Sequence, residues 1–135
     1  MTDRIQVNSP PHYRGTKYEV IEVIHGLGLT TDYAFGNAIK YLLRYHKKGA
    51  PTIDVMKAGW YINWLLDHFT CRPPGDPKFP ESVHAIVQTF ELPDELIRRA
   101  VYNVMLSAWV GMPAPLYEAK TAINAWLDFH NEPGI

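Results

Sequence analysis

The prediction of the fold starts from the stretch between residue 36 and residue 51, which reads GNAIKYLLRYHKKGAP. Its apolar residues recur at helical spacing, so we expect a helix over about residues 31–48. Gly49 and Pro51 then end that helix, because neither residue readily continues one. A further helix is expected over about residues 52–69. The stretch therefore predicts two consecutive helices joined by a short turn.

Length and composition bound the class of protein. The 135 residues are 47% hydrophobic and 13% aromatic, which is typical of one compact globular unit. A formal net charge of −1 argues against sequence-independent binding of DNA, which needs a strongly basic domain. The single cysteine, Cys71, excludes an internal disulfide framework and favours a reducing compartment. With neither a signal-peptide pattern nor a long apolar run, we expect a cytoplasmic protein without membrane spans.

Prolines and helical periodicity divide the chain into three parts. We expect an N-terminal arm with a three-helix unit (residues 1–70), a proline-rich linker (71–79) and a second three-helix unit (80–135), packed as one globule. The fold class is therefore all-α, a bundle of about six helices. The expected helices cover about residues 18–27, 31–48, 52–69, 80–91, 93–110 and 115–130.

The two units resemble each other at an offset of 62 or 63 residues. The offset pairs Leu43 with Leu106, Gly49 with Gly111, Trp64 with Trp126 and His68 with His130. A degenerate internal repeat would give these pairs, and so would any two amphipathic three-helix stretches, so both interpretations stay open. If the repeat is real, chemistry belongs to the first unit, because the cationic residues of that unit have no counterpart in the second.

A stripe of polar and cationic side chains lies along the helix of the opening stretch. At 100° per residue the stripe spans about 120°, opposite an apolar face, and consists of Asn37, Lys40, Tyr41, Arg44, Lys47 and Lys48. Lysines at a helix C-terminus are favoured by the dipole alone, which accounts for the last two. Mid-helix cations such as Lys40 and Arg44 repel each other. The stripe is therefore either a solvated face or a site for phosphate groups.

The next helix carries residues that suit a nucleotide. Asp54, Lys57 and Tyr61 lie on one line of its surface, and Trp60 and Trp64 lie on an adjacent one. Rings stack on bases while lysine and arginine bind phosphates. Aromatic residues on an apolar helix are more often part of the core, which we expect for Trp64.

Several familiar sites are absent from the sequence. It contains neither GxxxxGK[ST] nor GxGxxG, so a P-loop or a Rossmann site is not expected. Glu19 and Glu22 form one ExxE pair, but a magnesium site of that type needs a second acidic pair on a neighbouring helix. The six histidines show no metal-binding spacing. We therefore expect no metal site.

Four segments together resemble a known family. They are VNSPPHY (7–13), EVIEVI (19–24), FGNAIKYLLRYHKKG (35–49) and DVMKAGWYINWL (54–65). In order and spacing they are similar, over about residues 7–69, to a small phage-encoded family long catalogued as of unknown function, which includes a nucleotide kinase. Family patterns often read RAGKKG where this chain has bulkier residues at 45 and 46, and residues 80–130 have no evident counterpart.

The resemblance implies a nucleoside-monophosphate kinase that lacks a P-loop. Such an enzyme passes a phosphoryl group from a nucleoside triphosphate to dTMP or dGMP without requiring a metal or another cofactor. The resemblance places His12, Tyr13, Asn37, Lys40, Arg44, Lys48, Asp54 and Lys57 on the working surface.

Within that hypothesis we assign roles by side-chain chemistry. His12, Lys40, Arg44 and Lys57 are the candidate catalytic residues, with Arg44 as the bidentate phosphate ligand and His12 as the acid or base. The candidate nucleotide-binding residues are Tyr13, Asn37, Tyr41, Lys48, Asp54, Trp60 and Tyr61. Among them Asn37 would donate a hydrogen bond, Asp54 would orient Lys57 or accept from a sugar hydroxyl, and Tyr13 or Trp60 would stack on the base.

Two alternatives stay open. The protein could bind nucleotides without turnover, or it could be a phage effector that uses the cationic stripe to bind a host protein. Under each interpretation we expect a homo-oligomer, because short helices bury limited area and tryptophan-rich helices often complete their cores against a second copy.

Overall fold

The computed structural model describes residues 30–47, 49–71, 73 and 83–135, and these residues form a helical protein. The all-α prediction is confirmed: within the described ranges there are five helices and no strand. They are α1 (Thr30–Arg44), α2 (Pro51–His68), α3 (Val83–Thr89), α4 (Glu95–Val110) and α5 (Ala114–Phe129). The first of the six expected helices, over residues 18–27, lies outside the described residues, and so does most of the predicted linker.

The helix ends follow from local chemistry. Pro51 stands at the start of α2, where its missing N–H would be unpaired in any case. Gly111 ends α4 with φ 76° and donates its backbone N–H to the Ser107 carbonyl at 2.9 Å. Glycine is favoured at this position because it adopts the left-handed backbone conformation without a steric penalty. Expected starts and ends of α2, α4 and α5 lie within two residues of those observed.

The predicted end of α1 at about residue 48 is wrong. The helix ends at Arg44, and residues 45–47 form a turn in which the Lys47 N–H donates to the Arg44 carbonyl at 3.0 Å. This end coincides with Tyr45, which is 2% exposed and whose contacts with Asp94 and Trp126 hold the chain in the core. Its hydroxyl donates to Asp94 Oδ2 at 2.5 Å, and its ring meets the Trp126 ring edge-on at 6.1 Å.

Two helical hairpins pack side by side. Helix α1 packs on α2, and α4 packs on α5; in addition α1 contacts α4 and α2 contacts α5, while α3 lies against α4. One hydrophobic core runs through both hairpins, and its fully buried members include Leu42, Ile62, Ile97, Leu116 and Ile123. Because the core is shared, neither hairpin buries its apolar face without the other.

The two hairpins correspond in helix position and in one local contact. A shift of 63 residues carries α1 onto 93–107, over most of α4, and a shift of 62 carries α2 onto 113–130, over all of α5. Trp64 and His68 stack at 4.0 Å near the end of α2, and Trp126 and His130 stack at 3.9 Å at the end of α5. Each histidine also has Nδ1 close to the carbonyl of its tryptophan, at 3.1 and 2.8 Å. The internal repeat itself stays a prediction.

Among the described residues, no helix combines the length and the apolar character that crossing a membrane requires.

Candidate functional site

Three cationic side chains converge on the ring of Tyr41. Lys40 Nζ lies 4.8 Å from the ring centroid, Arg44 Cζ lies 4.9 Å from it and Lys57 Nζ lies 5.4 Å from it. Two of these cations come from α1 and the third from α2, so the group exists only where the two helices pack together. We call Lys40, Tyr41, Arg44 and Lys57 the Tyr41 cluster.

The antiparallel packing of α1 and α2 builds this cluster. The start of α1 meets the end of α2, where Thr31 Oγ1 and Thr70 Oγ1 are 2.9 Å apart. The end of α1 consequently meets the first turns of α2, and this brings Lys57 beside Tyr41. Tyr61, one turn after Lys57, stacks on Tyr41 at a centroid distance of 6.3 Å and an interplanar angle of 13°.

Further aromatic rings lie beside the cluster, and we call these rings the aromatic floor: Tyr33, Tyr61, Trp60 and Trp64. Tyr33 meets Tyr61 edge-on at 5.8 Å, and Trp60 meets Tyr61 edge-on at 5.1 Å. Trp60 also stacks on Trp64 at 5.7 Å, which begins a column of rings along α2 that His68 completes. Trp64 is half-buried and packs against the hydrophobic core, in keeping with the core position expected for it.

The cluster concentrates positive charge without neutralising it. Within the described ranges, Lys40, Arg44 and Lys57 form no ion pair with a carboxylate; the ion pair observed there joins Arg99 and Glu95. Each cation–ring contact contributes roughly 0.5–1 kcal/mol at exposed sites. Each like-charge helical pair costs about 0.2–0.5 kcal/mol. The ring contacts therefore outweigh the repulsion and hold the three cations together, while their positive charge is left for a bound anion to neutralise.

Two polar atoms, one in the cluster and one a helical turn from it, are buried and unsatisfied. Arg44 Nε and Asp54 Oδ2 are inaccessible to solvent and have no hydrogen-bond partner within the described part of the chain. Asp54 as a whole is 6% exposed and lies one helical turn before Lys57. It makes no ion pair with Lys57, and the expectation that Asp54 orients Lys57 or accepts from a sugar hydroxyl stays a prediction. Buried polar groups are normally hydrogen-bonded, and an unpaired one is a candidate ligand contact.

Asn37 lies one turn before Tyr41, but its amide is already engaged. Asn37 Nδ2 donates to the Tyr33 carbonyl at 2.9 Å, within the same helix. The amide has a second N–H and an oxygen for other partners. Lys47 is exposed and lies in the turn after α1. Both residues border the cluster rather than belong to it.

Three predicted site residues fall outside the described part of the chain: His12, Tyr13 and Lys48. Their assignment as acid or base, stacking residue and phosphate ligand stays a prediction. Of the remaining predicted residues, the structure brings Lys40, Arg44, Lys57, Tyr41, Tyr61 and Trp60 together, with Asp54 one turn away.

Sequence reasoning missed Tyr33 and Tyr45. Tyr33 stands eight residues before Tyr41, a spacing that places both on one face of a helix, so its ring contact with Tyr61 had a signal in the sequence. From the sequence, Tyr45 was identified only as a bulky residue, and no nearby residues indicated its contacts with Asp94 and Trp126. Among the described residues, no group of three or more His, Cys, Asp or Glu side chains is placed to hold a metal ion.

Comparison with known proteins adds one finding. Residues 7–63 match the model of a family described as a protein of unknown function (DUF3310), a range that covers α1 and most of α2 but less than half of the chain. Neither a curated protein nor a solved structure matches the chain. The matched residues include the whole Tyr41 cluster, whereas α3, α4 and α5 lie outside the match.

Proposed function

We propose that this protein is a deoxynucleoside-monophosphate kinase without a P-loop, which transfers a phosphoryl group from a nucleoside triphosphate to dTMP or dGMP. The observation that carries the proposal is the Tyr41 cluster, in which three cations from two helices surround one ring without a neutralising carboxylate. Charge held in this way is suited to the oxygens of phosphate groups. The resemblance of the motifs to a nucleotide kinase supports the same ligand class.

The proposed reaction is an in-line displacement. An oxygen of the monophosphate attacks the γ-phosphorus of the triphosphate, a new P–O bond forms, and the bond to the bridging oxygen breaks, so that two diphosphates leave. Such transfers depend mainly on positioning and on stabilisation of the negative charge in the transition state. Arg44 would bind phosphate oxygens as a fork, and Lys40 and Lys57 would neutralise the remaining charge. We propose that no further cofactor is needed.

The aromatic floor and Asp54 favour a nucleotide over a simple phosphate. Tyr61 and Trp60 lie beside the cations, and aromatic rings are the side chains on which bases stack. Asp54 has a solvent-inaccessible, unpartnered oxygen one turn from Lys57, and a sugar hydroxyl or a base N–H would donate to it once a side-chain rearrangement admits the ligand. A ligand with an anionic end and a hydrogen-bond donor satisfies both features. A nucleoside monophosphate carries both groups.

The direct test is a product assay. Purified protein is incubated with ATP and each of the four deoxynucleoside monophosphates, and the nucleotides are resolved by chromatography. We expect ADP and one or two deoxynucleoside diphosphates, with formation lost in Arg44→Ala. Arg99→Ala is the matched control, because Arg99 is an exposed arginine of α4 outside the cluster. Absence of diphosphate product above background for every pair would refute the kinase proposal.

A second candidate function is nucleotide binding without turnover. The observation that favours it is that the Tyr41 cluster consists of groups that bind phosphate, whereas the predicted acid or base, His12, lies outside the described residues. Calorimetry then separates the two functions. Binding of a nucleotide that is lost in Arg44→Ala, together with no product, would establish the second candidate in place of the first.

The proposal also includes self-association and a cytoplasmic site of action, where nucleotides are available. Large apolar side chains are exposed on the second hairpin, among them Met112 at 53% and Phe129 at 80%. Exposed apolar side chains of this size suit contact between copies. Light scattering coupled to size-exclusion chromatography gives the mass directly, and a monomer at tens of micromolar would contradict self-association.

A further inference from the structure

Tyr45 connects the Tyr41 cluster to the second hairpin. It follows Arg44 directly, at the point where α1 ends, and its side chain is almost completely buried. Its hydroxyl donates to Asp94 Oδ2 at 2.5 Å and accepts the backbone N–H of Asp94 at 3.2 Å. Its ring also meets Trp126 of α5 edge-on. A residue adjacent to a cluster arginine is thus held by two elements of the other hairpin.

Asp94 gives up its usual local role to make this contact. It precedes α4 as the N-cap residue, where an aspartate side chain normally accepts a hydrogen bond from a backbone N–H of its own helix. Here the carboxylate makes no such bond and instead accepts the Tyr45 hydroxyl. Tyr45 and Asp94 are therefore bonded twice to each other, and this pair fixes the end of α1 relative to the start of α4.

The position of Arg44 depends on the backbone that Tyr45 holds. Arg44 is the last helical residue, and its carbonyl accepts the Lys47 N–H that closes the following turn. A helix end normally frays, because its last carbonyl groups lack helical partners. Anchoring the next residue in the core prevents this fraying and keeps the Arg44 guanidinium over the Tyr41 ring.

We propose that Tyr45, held by Asp94 and Trp126, is a positioning residue that preorganises Arg44 for phosphate binding, so that the second hairpin supports the site without contacting the ligand. This inference rests on the proposed function. It also gives a physical reason for a bulky residue at position 45, since a small side chain there would not reach α4 or α5. Preorganisation raises affinity by reducing the ordering that binding must impose.

The test is calorimetric titration with ATP of the wild-type chain and of matched variants. Tyr45→Phe keeps the ring and removes the hydroxyl; we expect ATP binding to weaken about fivefold, because only part of the free energy of that hydrogen bond bears on the position of Arg44. Asp94→Ala should weaken binding to the same extent. Asp94→Asn keeps an oxygen that accepts from the hydroxyl, and it should restore the affinity to within about twofold of the wild type.

Two controls separate positioning from general stability. Ser107→Ala removes another buried hydroxyl, which donates to the Met112 carbonyl at 2.5 Å beyond the end of α4. It should lower the melting temperature without changing ATP affinity. In an Arg44→Ala background, Tyr45→Phe should cause no further loss of affinity, because the residue through which Tyr45 acts is absent.

The outcomes distinguish this inference from the function on which it rests. Failure of the wild-type chain to bind ATP removes both. Wild-type binding with unchanged affinity in Tyr45→Phe and Asp94→Ala overturns the positioning role alone. The role is also overturned if Ser107→Ala weakens binding equally, or if the Tyr45→Phe effect persists in the Arg44→Ala background.

Discussion

Substituting the three cations of the Tyr41 cluster one at a time should reveal a gradient of nucleotide affinity. We expect Arg44→Ala to weaken ATP binding most, Lys57→Ala less and Lys40→Ala least. The order follows burial: Arg44 is half-buried with a solvent-inaccessible Nε, Lys57 is half-buried, and Lys40 is exposed. Exposed charges are screened by water and salt, whereas buried charges are screened much less.

The size of each effect follows from the same burial. A hydrogen bond to a charged group contributes about 1.5–3 kcal/mol when shielded from water, so loss of Arg44 should weaken binding about 10- to 150-fold. An exposed ion pair contributes about 0.2–1 kcal/mol, so loss of Lys40 should weaken binding only about 1.5- to 5-fold. The loss of affinity in Lys57→Ala should lie between those two values. In the absence of ligand, relieved repulsion partly offsets the lost ring contacts, and stability should change by less than about 1 kcal/mol.

Calorimetry with ATP at constant ionic strength measures the gradient, and urea denaturation of the same proteins measures stability. Arg99→Ala serves as the control, since it removes an arginine whose partner, Glu95, is an exposed neighbour on α4. Arg44→Lys tests the fork geometry and should recover only part of the loss, because lysine binds as a point charge. Equal effects at Lys40 and Arg44, or effects matched by Arg99→Ala, would refute the reasoning.

Three further predictions concern single residues around the core. Asp54→Asn replaces a buried carboxylate whose Oδ2 has no hydrogen-bond partner among the described residues. Urea denaturation should therefore show a free energy of unfolding that is unchanged or raised by about 1 kcal/mol, while dTMP binding weakens. Clear destabilisation would contradict this. The Tyr45 hydroxyl donates to Asp94, so the wild type should be more stable than Tyr45→Phe by about 1.5–3 kcal/mol below pH 10. Burial and this hydrogen bond also raise the pKa of Tyr45. Above that pH the unfolded phenol ionises first, and the advantage should shrink by up to about 1.4 kcal/mol per pH unit, whereas a constant difference in alkaline urea titrations would count against the bond. Gly59→Ala would place a Cβ 2.6 Å from the Ile135 side chain. It should therefore stabilise α2 by about 0.5–1 kcal/mol only in an Ile135→Gly background, and an equal effect in both backgrounds would contradict this contact.

The helices and the polar stripe were predictable because they depend on nearby residues. Pro51 and Gly49 mark the break between α1 and α2, and the 3.6-residue period separates Leu42 from Arg44 on the surface of α1. The same local reasoning failed at the end of α1, and it gave no sign of the hydrogen bond between Tyr45 and Asp94, which lie 49 residues apart. A local pattern contains no information about such a partner.

The candidate site was predictable as a set of residues but not as a geometry. Periodicity placed Lys40, Tyr41 and Arg44 on one face of their helix, and placed Lys57 and Tyr61 on a line of the next. It gave no register between the two helices, so the convergence on the Tyr41 ring and the stacking of Tyr61 could not be predicted. Nor did it indicate that Asn37 would donate to its own helix or that Asp54 would be buried without a hydrogen bond at Oδ2.

The sequence by itself determined that the described part of the chain is helical, where α2, α4 and α5 begin and end to within two residues, and that one short segment carries an excess of positive charge. These properties follow from backbone propensity and from side chains within a few turns of one another. Only the tertiary structure decided that α2 brings Lys57 to the ring of Tyr41, and that the second hairpin fixes the end of α1 through Tyr45. Both depend on how helices pack around the shared core, which is settled by the fit of distant side chains.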